Sequence, residues 1–251
     1  MTKQKNITEK YIYLLPGTMC SAQMFLPLQQ ILQRDGYKVE IIQFTNQRTI
    51  ADMVRLCQEK ITTSGTVLGF SMGGIVALEL IKQSPELVEN LILLSANSHA
   101  DRVGKGAVRK QHIALAKSLS LEQAINRYYL PHYFHAANET NHKLVIDMAN
   151  ELGVIGFERQ LTALSTRNDN LEVIRNYTGK VLILAGQNDQ LCPINEQQKM
   201  LQVAKQATLK LISDCGHFPL QEQQLQSIQT ITSWLASINL SQQSTEFTSC
   251  H

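Results

Sequence analysis

The chain has 251 residues, of which 43% are hydrophobic and 18% charged, and its formal net charge is +2. A chain of this length can bury one large core, and so small a net charge gives no reason to expect a nucleic-acid partner. The apolar runs are far shorter than the roughly 20 residues that cross a bilayer, so we expect no membrane partner either. We therefore predict one domain.

The N-terminal segment and the cysteines indicate the compartment. Residues 1–10 are polar and lack the apolar segment of a signal peptide, which predicts a cytoplasmic protein. The five cysteines are an odd number and form no CxxC pair, so we expect reduced thiols, without a disulfide framework or a zinc site.

Short β-rich apolar runs alternate along the chain with longer amphipathic stretches, which is typical of a parallel sheet covered by helices on both faces. The predicted fold class is therefore α/β. Strands are predicted at Tyr11–Leu15, Lys38–Phe44, Thr66–Phe70, Asn90–Ser95, Lys180–Ala185 and Thr208–Ile212. Helices are predicted at Ala22–Arg34, Ile50–Thr62, Met72–Gln83, Asn195–Ala204 and Leu220–Ala236.

The pattern changes between Ser98 and Tyr177, where apolar residues recur at helical spacing and strand patterns are lacking. Helices are predicted there at Val108–Leu119, Leu121–Tyr129 and His142–Leu152. We interpret residues 99–178 as a helical cap inserted into a core formed by residues 1–98 and 179–240. The cap follows a strand end, where parallel sheets bind ligands, so it should roof the ligand site. The polar segment 241–251 is predicted to be disordered.

Gly69-Phe70-Ser71-Met72-Gly73 is a GxSxG motif between a predicted strand and a predicted helix. In this context the motif indicates a nucleophile elbow, a strained turn that projects the serine oxygen above the sheet. Gly69 and Gly73 lack the bulk that would keep strand and helix apart. We therefore interpret Ser71 as a nucleophile.

A serine nucleophile needs a base to accept its proton and an acid to orient that base. Of the seven histidines, His217 is in a loop between the last predicted strand and the last predicted helix, whereas the others lie in or near the cap or in the tail. Asp189 follows the strand Lys180–Ala185, at the edge of the sheet where Ser71 and His217 are expected. Asp214 is the alternative acid, but a carboxylate three residues from His217 in one loop seldom reaches the ring.

The tetrahedral intermediate of acyl transfer needs two N–H donors for its negative oxygen. Met72, directly after the nucleophile, supplies one, and the loop after the first strand should supply the other. That loop contains Pro16-Gly17-Thr18 and resembles the His-Gly-x motif of the α/β-hydrolase family, with Pro16 in place of histidine. The resemblance implies the Thr18 N–H as donor, with Met19 as the near alternative.

The GxSxG motif, Asp189, Gly216-His217 and the Pro16-Gly17 loop together resemble the α/β-hydrolase family over about residues 11–236. The likeness is to small bacterial carboxylesterases and lactonases, including 3-oxoadipate enol-lactonases and pimeloyl-carrier-protein methyl esterases. The chain departs from the family in lacking room for two further N-terminal strands, so we expect a mostly parallel sheet of about six.

The resemblance implies cleavage of a small ester, lactone or thioester through an acyl-enzyme on Ser71, without a metal or organic cofactor. An acyltransferase, a thioesterase or a carrier-protein methyl esterase would use the same three residues. A ligand receptor with a vestigial site is the alternative from a different functional class.

The cap segment from Asp101 to Lys117 is basic, which favours an anionic substrate or an acidic carrier protein, although an ordinary solvated helix face would have the same composition. Its cations are Arg102, Lys105, Arg109, Lys110 and Lys117. Arg159 and Arg167 could bind a substrate carboxylate or brace the cap. We predict substrate contacts for Met19, Phe70 and Arg159. No pattern in the chain favours a particular oligomeric state.

Overall fold

The computed structural model describes the backbone of residues 9–248 and the side chains of residues 9–240. Within this range one sheet has six strands in the order β2-β1-β3-β4-β5-β6, and all neighbours are parallel. The strands are β1 (Lys10–Leu15), β2 (Tyr37–Ile41), β3 (Gly65–Phe70), β4 (Val88–Leu94), β5 (Lys180–Gly186) and β6 (Ala207–Ile212). The predicted α/β class and the number of strands are confirmed.

Helices connect the strands and cover the sheet. They are α1 (Leu26–Arg34), α2 (Ile50–Lys60), α3 (Met72–Gln83), α4 (Lys105–Ser118), α5 (Leu121–Tyr128), α6 (Leu130–Tyr133), α7 (Glu139–Leu164), α8 (Leu171–Asn176), α9 (Ile194–Val203), α10 (Pro219–Glu222) and α11 (Gln224–Thr248). Alternate residues of β1 point to opposite faces: Ile12 packs in a cluster with α1 and α11, and Tyr13 packs in a cluster with α2, α3 and α9. The core therefore has two apolar layers, one on each side of the sheet.

The segment predicted as a cap contains α4 to α8. Helices α4, α5 and α7 pack against one another, whereas α8 packs against α3 and α9 of the core. We call α4 to α7 the cap helices. The predicted boundaries at residues 99 and 178 remain a prediction. Across the part of the chain that the structure describes, no helix is long and apolar enough to span a membrane.

Several elements differ in extent from their predictions. The predicted helix Ala22–Arg34 begins with a 3-10 turn, and α1 starts beside Pro27, which has no N–H to continue a preceding helix. Strand β2 ends at Ile41, before the predicted Phe44. Helix α7 is interrupted directly after the predicted end at Leu152, because Gly153 adopts a non-helical φ of 67°, and a second helical segment continues to Leu164.

The C-terminal helix also extends beyond its prediction. It runs to Thr248 and so includes most of the segment for which disorder was predicted. Residues 249–251 lie outside the described residues.

Candidate active site

Ser71 occupies the turn between β3 and α3 with φ 50° and ψ −111°. This conformation is rare for a residue with a side chain, and such strain is concentrated at functional sites. A Cβ at Gly69 would overlap the backbone of Gly73, and a Cβ at Gly73 would overlap the backbone of Leu15. The two glycines of the motif therefore allow β3, α3 and β1 to approach closely around Ser71.

Ser71, His217 and Asp189 form one hydrogen-bonded chain. The Nε2 atom of His217 is 3.0 Å from the Ser71 Oγ, and its Nδ1 atom is 2.8 Å from the Asp189 Oδ2. Because an ionised carboxylate only accepts hydrogen bonds, Nδ1 carries the proton and Nε2 can accept from the serine hydroxyl. The three residues follow β3, β6 and β5 respectively, so the ends of three parallel strands bring them to one edge of the sheet.

The Asp189 side chain is fully buried and held from two sides. Its Oδ1 accepts hydrogen bonds from the backbone N–H groups of Leu191, at 2.8 Å, and Cys192, at 2.9 Å. Burial by itself would raise the pKa of Asp189, but His217 and these two N–H groups outweigh that effect and leave the pKa below its usual value. Asp189 is therefore ionised and fixed in orientation.

Asp214, the alternative acid, is placed differently. Its side chain is 84% exposed, and its Oδ1 is 3.9 Å from the Nε2 of His135. Among the described hydrogen bonds of His217, both ring nitrogens are used by Ser71 and Asp189. Asp189, not Asp214, contacts His217.

Glu222 on α10 supports the loop that carries His217, and our sequence analysis did not find it. Its Oε1 accepts from the backbone N–H groups of Gly216, at 2.9 Å, and Phe218, at 3.2 Å. Its Oε2 accepts from the His135 N–H at 2.7 Å, and the His217 N–H donates to the Tyr133 carbonyl at 2.7 Å. An acid in the first turn of a helix is so common that it gave no usable signal.

The loop predicted to complete an oxyanion hole lies against Ser71. A Cβ placed on Gly17 would be 3.2 Å from the Ser71 Cβ, and Thr18 lines the same cavity as Ser71 and Met72. Among the hydrogen bonds of residues 9–240, the Thr18 and Met72 N–H groups have no acceptor. The Met19 N–H, in contrast, donates to Gln160 Oε1 at 2.7 Å. The near alternative is therefore already occupied, and Thr18 and Met72 remain the predicted donors.

Gln160, on α7, is a second residue that we did not find from the sequence. It is 1% exposed, and its Nε2 donates to the Phe44 carbonyl at 2.7 Å. It thus joins the Met19 loop to the chain that follows β2. The sequence does contain a signal for it: Gln160 lies on the same helix face as the apolar residues Phe157, Leu161 and Leu164. A polar side chain buried on such a face needs hydrogen-bond partners.

A cavity of about 490 Å³ lies above Ser71 and His217, between the sheet edge and the cap helices. This volume is within the range of small-molecule sites. Its floor contains Phe70 and Phe218, and its cap side contains Tyr129 and Tyr133. No acidic residue is among the described residues that line it, whereas five cations are: Arg102, Lys105, Arg109, Arg127 and Arg167.

One predicted substrate contact lies in this cavity and two do not. Phe70 lines it, with its ring centroid 5.2 Å from that of His217. Met19 is 1% exposed, because the turn at its φ of 60° directs it into the core. Arg159 lies elsewhere, since its Nη1 donates to Asn46 Oδ1 at 2.5 Å. The predictions for Met19 and Arg159 are corrected accordingly, and Arg167 is the late cap cation that reaches the cavity.

The ligand atoms of Asp189, Cys192 and His217 lie within 4.8 Å of one another, so we considered a metal there. Burial raises the pKa of the Cys192 thiol, which disfavours the thiolate that metals bind. The Cys192 Sγ accepts a hydrogen bond from Asn97 Nδ2 at 3.2 Å, and Asp189 and His217 are hydrogen-bonded to each other. The group fits a hydrogen-bond chain better than a metal site.

Residues 44–224 match the model of the Hydrolase_4 family, described as serine aminopeptidase, S33. The chain belongs to this family. Among solved structures, it is similar to an esterase from Thermogutta terrifontis, with a TM-score of 0.80 and 20% identity over 92% of this chain and 91% of that one. It is also similar to the enol-lactonase from Burkholderia xenovorans LB400, with a TM-score of 0.78 and 16% identity over 93% and 94% of the two chains. These likenesses confirm the α/β-hydrolase fold.

Curated relatives match the Hydrolase_4 chain over a shorter length. A Pseudomonas syringae protein provisionally named carbamate hydrolase RutD is 29% identical over 158 residues, which are 60% of this chain and 59% of that protein. A Pseudomonas savastanoi protein of the same name is 28% identical over the same coverage. The chain thus spans about three-fifths of the length of these relatives.

Proposed function

We propose that the chain hydrolyses a small carboxylic ester, lactone or thioester through an acyl-enzyme on Ser71. The observation that carries this proposal is the hydrogen-bonded chain from Asp189 through His217 to the Ser71 hydroxyl, at the floor of the cavity beneath the cap helices. Such a chain can raise the reactivity of a hydroxyl that is otherwise a poor nucleophile at neutral pH.

In the proposed cycle, His217 Nε2 accepts the Ser71 proton while Oγ attacks the substrate carbonyl carbon. The carbonyl oxygen becomes negative and accepts hydrogen bonds from the Thr18 and Met72 N–H groups. Collapse of this intermediate breaks the bond to the leaving group, which takes the proton from His217. Water then attacks the acyl-enzyme with His217 again as base, and Ser71 recovers its proton. Asp189 stabilises the imidazolium in both halves.

The cavity lining favours an ester, lactone or thioester over a peptide with a free amino terminus. An aminopeptidase must hold an ammonium group, which calls for an anionic partner. The described lining residues include five cations and no Asp or Glu, so an ammonium group would be repelled. The esterase and enol-lactonase structures similar to this chain are further support for acyl–oxygen cleavage.

The experiment compares wild type, Ser71→Ala and Ser237→Ala on 4-nitrophenyl butyrate, an enol-lactone and an acyl thioester. Ser237 lies on the exposed side of α11 and serves as the matched control. We expect Ser71→Ala to reduce kcat/KM by at least about 10⁴-fold, because removing the nucleophile of a triad abolishes its concerted action.

A fluorophosphonate probe supplies a second measurement. We expect it to label wild type and Ser237→Ala on the peptide that contains Ser71, and to leave Ser71→Ala unlabelled. Hydrolysis of any of these substrates at the wild-type rate by Ser71→Ala would contradict the proposal.

A further inference from the structure

Two buried arginines in the cavity share one carboxylate. Arg109, on α4, and Arg167, just after α7, both line the cavity, and their side chains are only 12% and 11% exposed. The Arg109 Nη2 pairs closely with Asp101 Oδ2, whereas the Arg167 Nη2 is 3.7 Å from Asp101 Oδ1, beyond hydrogen-bond distance. The Asp101 carboxylate therefore faces two cations, and it interacts more strongly with Arg109, the nearer of the two.

Asp101 Oδ1 pairs with the Arg167 guanidinium by charge but makes no hydrogen bond to it, so donors of Arg167 remain unfilled. Its buried Nε has no hydrogen-bond partner among the described residues. Its Nη2 is 3.3 Å from His99 Nδ1, but that nitrogen is also 2.7 Å from the Ala100 carbonyl oxygen. A carbonyl only accepts, so His99 Nδ1 carries a proton and cannot also accept from Arg167. A buried cation whose donors are unfilled is costly, and an anionic ligand would offset that cost.

The rest of the lining reinforces this charge. Arg102 is partly neutralised by Glu196, at 3.1 Å, but Lys105 and Arg127 also line the cavity. Burial lowers the pKa of Arg167, and Asp101 opposes that effect. A cavity with walls of one sign of charge concentrates ligands of the opposite sign.

We propose that Arg167, together with Arg109, forms a carboxylate-binding subsite, so that the substrate is a small ester, lactone or thioester bearing a second, ionised carboxylate. This inference rests on the function proposed above. A planar guanidinium pairs with a planar carboxylate through two parallel hydrogen bonds, which suits Arg167 because it lines the cavity and has an unfilled donor. Because both arginines are buried in the cavity wall, the anion belongs to the molecule that enters the cavity and not to a carrier protein at the surface.

The test uses two substrate pairs, each differing by one carboxylate. Monomethyl glutarate against methyl butyrate places it on the acyl part, and 4-acetoxybenzoate against phenyl acetate places it on the leaving group. We expect wild type to favour the anionic member of at least one pair. Arg167→Gln should lower kcat/KM for that member by about tenfold to a hundredfold, the value of a charged hydrogen bond, and change the neutral member by less than about twofold. Arg159→Gln, a cap cation outside the cavity, is the control and should change neither.

The variant Asp101→Asn distinguishes a role of Arg167 in substrate binding from a role in bracing the cap. If Arg167 binds the substrate, removing the competing carboxylate should raise the preference for the anionic member. If Arg167 only braces the cap, both variants should lower the rates of both members equally, and that result would overturn the inference. Absence of any preference in wild type would overturn it too.

A binding measurement tests the carboxylate subsite independently of catalytic turnover. Isothermal titration of glutarate into Ser71→Ala should show binding that is weakened at least about tenfold when Arg167→Gln is added, whereas methyl butyrate, which has no carboxylate, should bind equally with and without Arg167→Gln. Equal affinity for glutarate with and without Arg167→Gln would overturn the subsite. Loss of the subsite while Ser71 still reacts with neutral esters would leave the proposed hydrolysis standing. Activity that survives in Ser71→Ala would instead contradict the proposed function.

Discussion

The two walls of the cavity are built differently. Ser71, Asp189 and His217 follow parallel strands, and backbone hydrogen bonds between neighbouring strands fix where each strand ends. Arg109 and Arg167 belong to the cap segment, where side-chain contacts hold them and where some polar atoms lack partners. In the proposed function, bond cleavage takes place at the sheet edge and the cap side of the cavity selects the substrate.

The separation is incomplete, because the cap segment also supports the sheet edge. The Tyr133 carbonyl accepts from the His217 N–H, and Gln160 accepts from the Met19 N–H beside Thr18. A cap variant that slows the reaction of every substrate would therefore show that the cap also supports bond cleavage, whereas a variant that changes only the choice of substrate would show that the two walls act separately.

The largest effect is expected at the sheet edge, at Asp189. Asp189→Asn should lower kcat by about 10³- to 10⁴-fold, because an amide cannot hold the Nδ1–H tautomer of His217 or stabilise the imidazolium. The measurement is kcat on 4-nitrophenyl butyrate, with fluorophosphonate labelling of Ser71 slowed in parallel.

Asp214→Asn is the matched control for that substitution. Asp214 has a φ of 49°, which asparagine also tolerates, and its side chain is 84% exposed. It should retain wild-type activity within about twofold, as expected of an exposed charge. Equal losses at Asp189 and Asp214 would contradict the assignment of the acid.

An intermediate effect is expected at Gln160. Gln160→Leu removes the acceptor of the Met19 N–H and the donor to Phe44, which should displace the adjacent Thr18 N–H. Losing an oxyanion donor outright costs on the order of 10²- to 10³-fold, so a displaced donor should cost about 10- to 100-fold in kcat with little change in KM. Such a result, equal for neutral and anionic esters, would show a cap residue acting on the sheet-edge chemistry.

Destabilisation alone must be separated from that effect. Asn90→Leu also replaces a buried amide, which pairs with Thr66 at 3.4 Å near the amino end of β4. Both variants should lose stability, by about 1–3 kcal/mol for each buried polar group left unpaired, measured by urea unfolding. Only Gln160→Leu should lose kcat; an equal loss in Asn90→Leu would attribute the effect to stability.

The contrast between the sheet edge and the cap also explains which features could be predicted from the sequence. The positions of Ser71 and Met72 beside the cavity could be predicted because the elbow is a local motif, and those of Asp189 and His217 because each lies in the loop that follows a strand. Thr18 depended on a resemblance. Arg159 and Arg167 could not be ranked, because Arg159 lies within α7 whereas Arg167 follows its end at Leu164, and the direction of the chain beyond a helix depends on tertiary contacts. Met19 was misplaced for a similar reason, since it lies in a loop with a positive φ, and the direction of its side chain depends on that local conformation.

The smallest expected effect concerns the outer side of the cap. Lys110 is adjacent to Arg109 in α4 but is exposed, and it is not among the residues that line the cavity. Lys110→Glu should therefore change KM for 4-acetoxybenzoate by less than about twofold at physiological salt, where surface charges are screened within about 8 Å. A tenfold increase in KM would mean that the outer face recruits the substrate, as docking of an acidic carrier protein would require. Repeating the assay at higher salt distinguishes these cases, because recruitment by surface charge weakens with ionic strength whereas pairing with the buried Arg167 is screened much less.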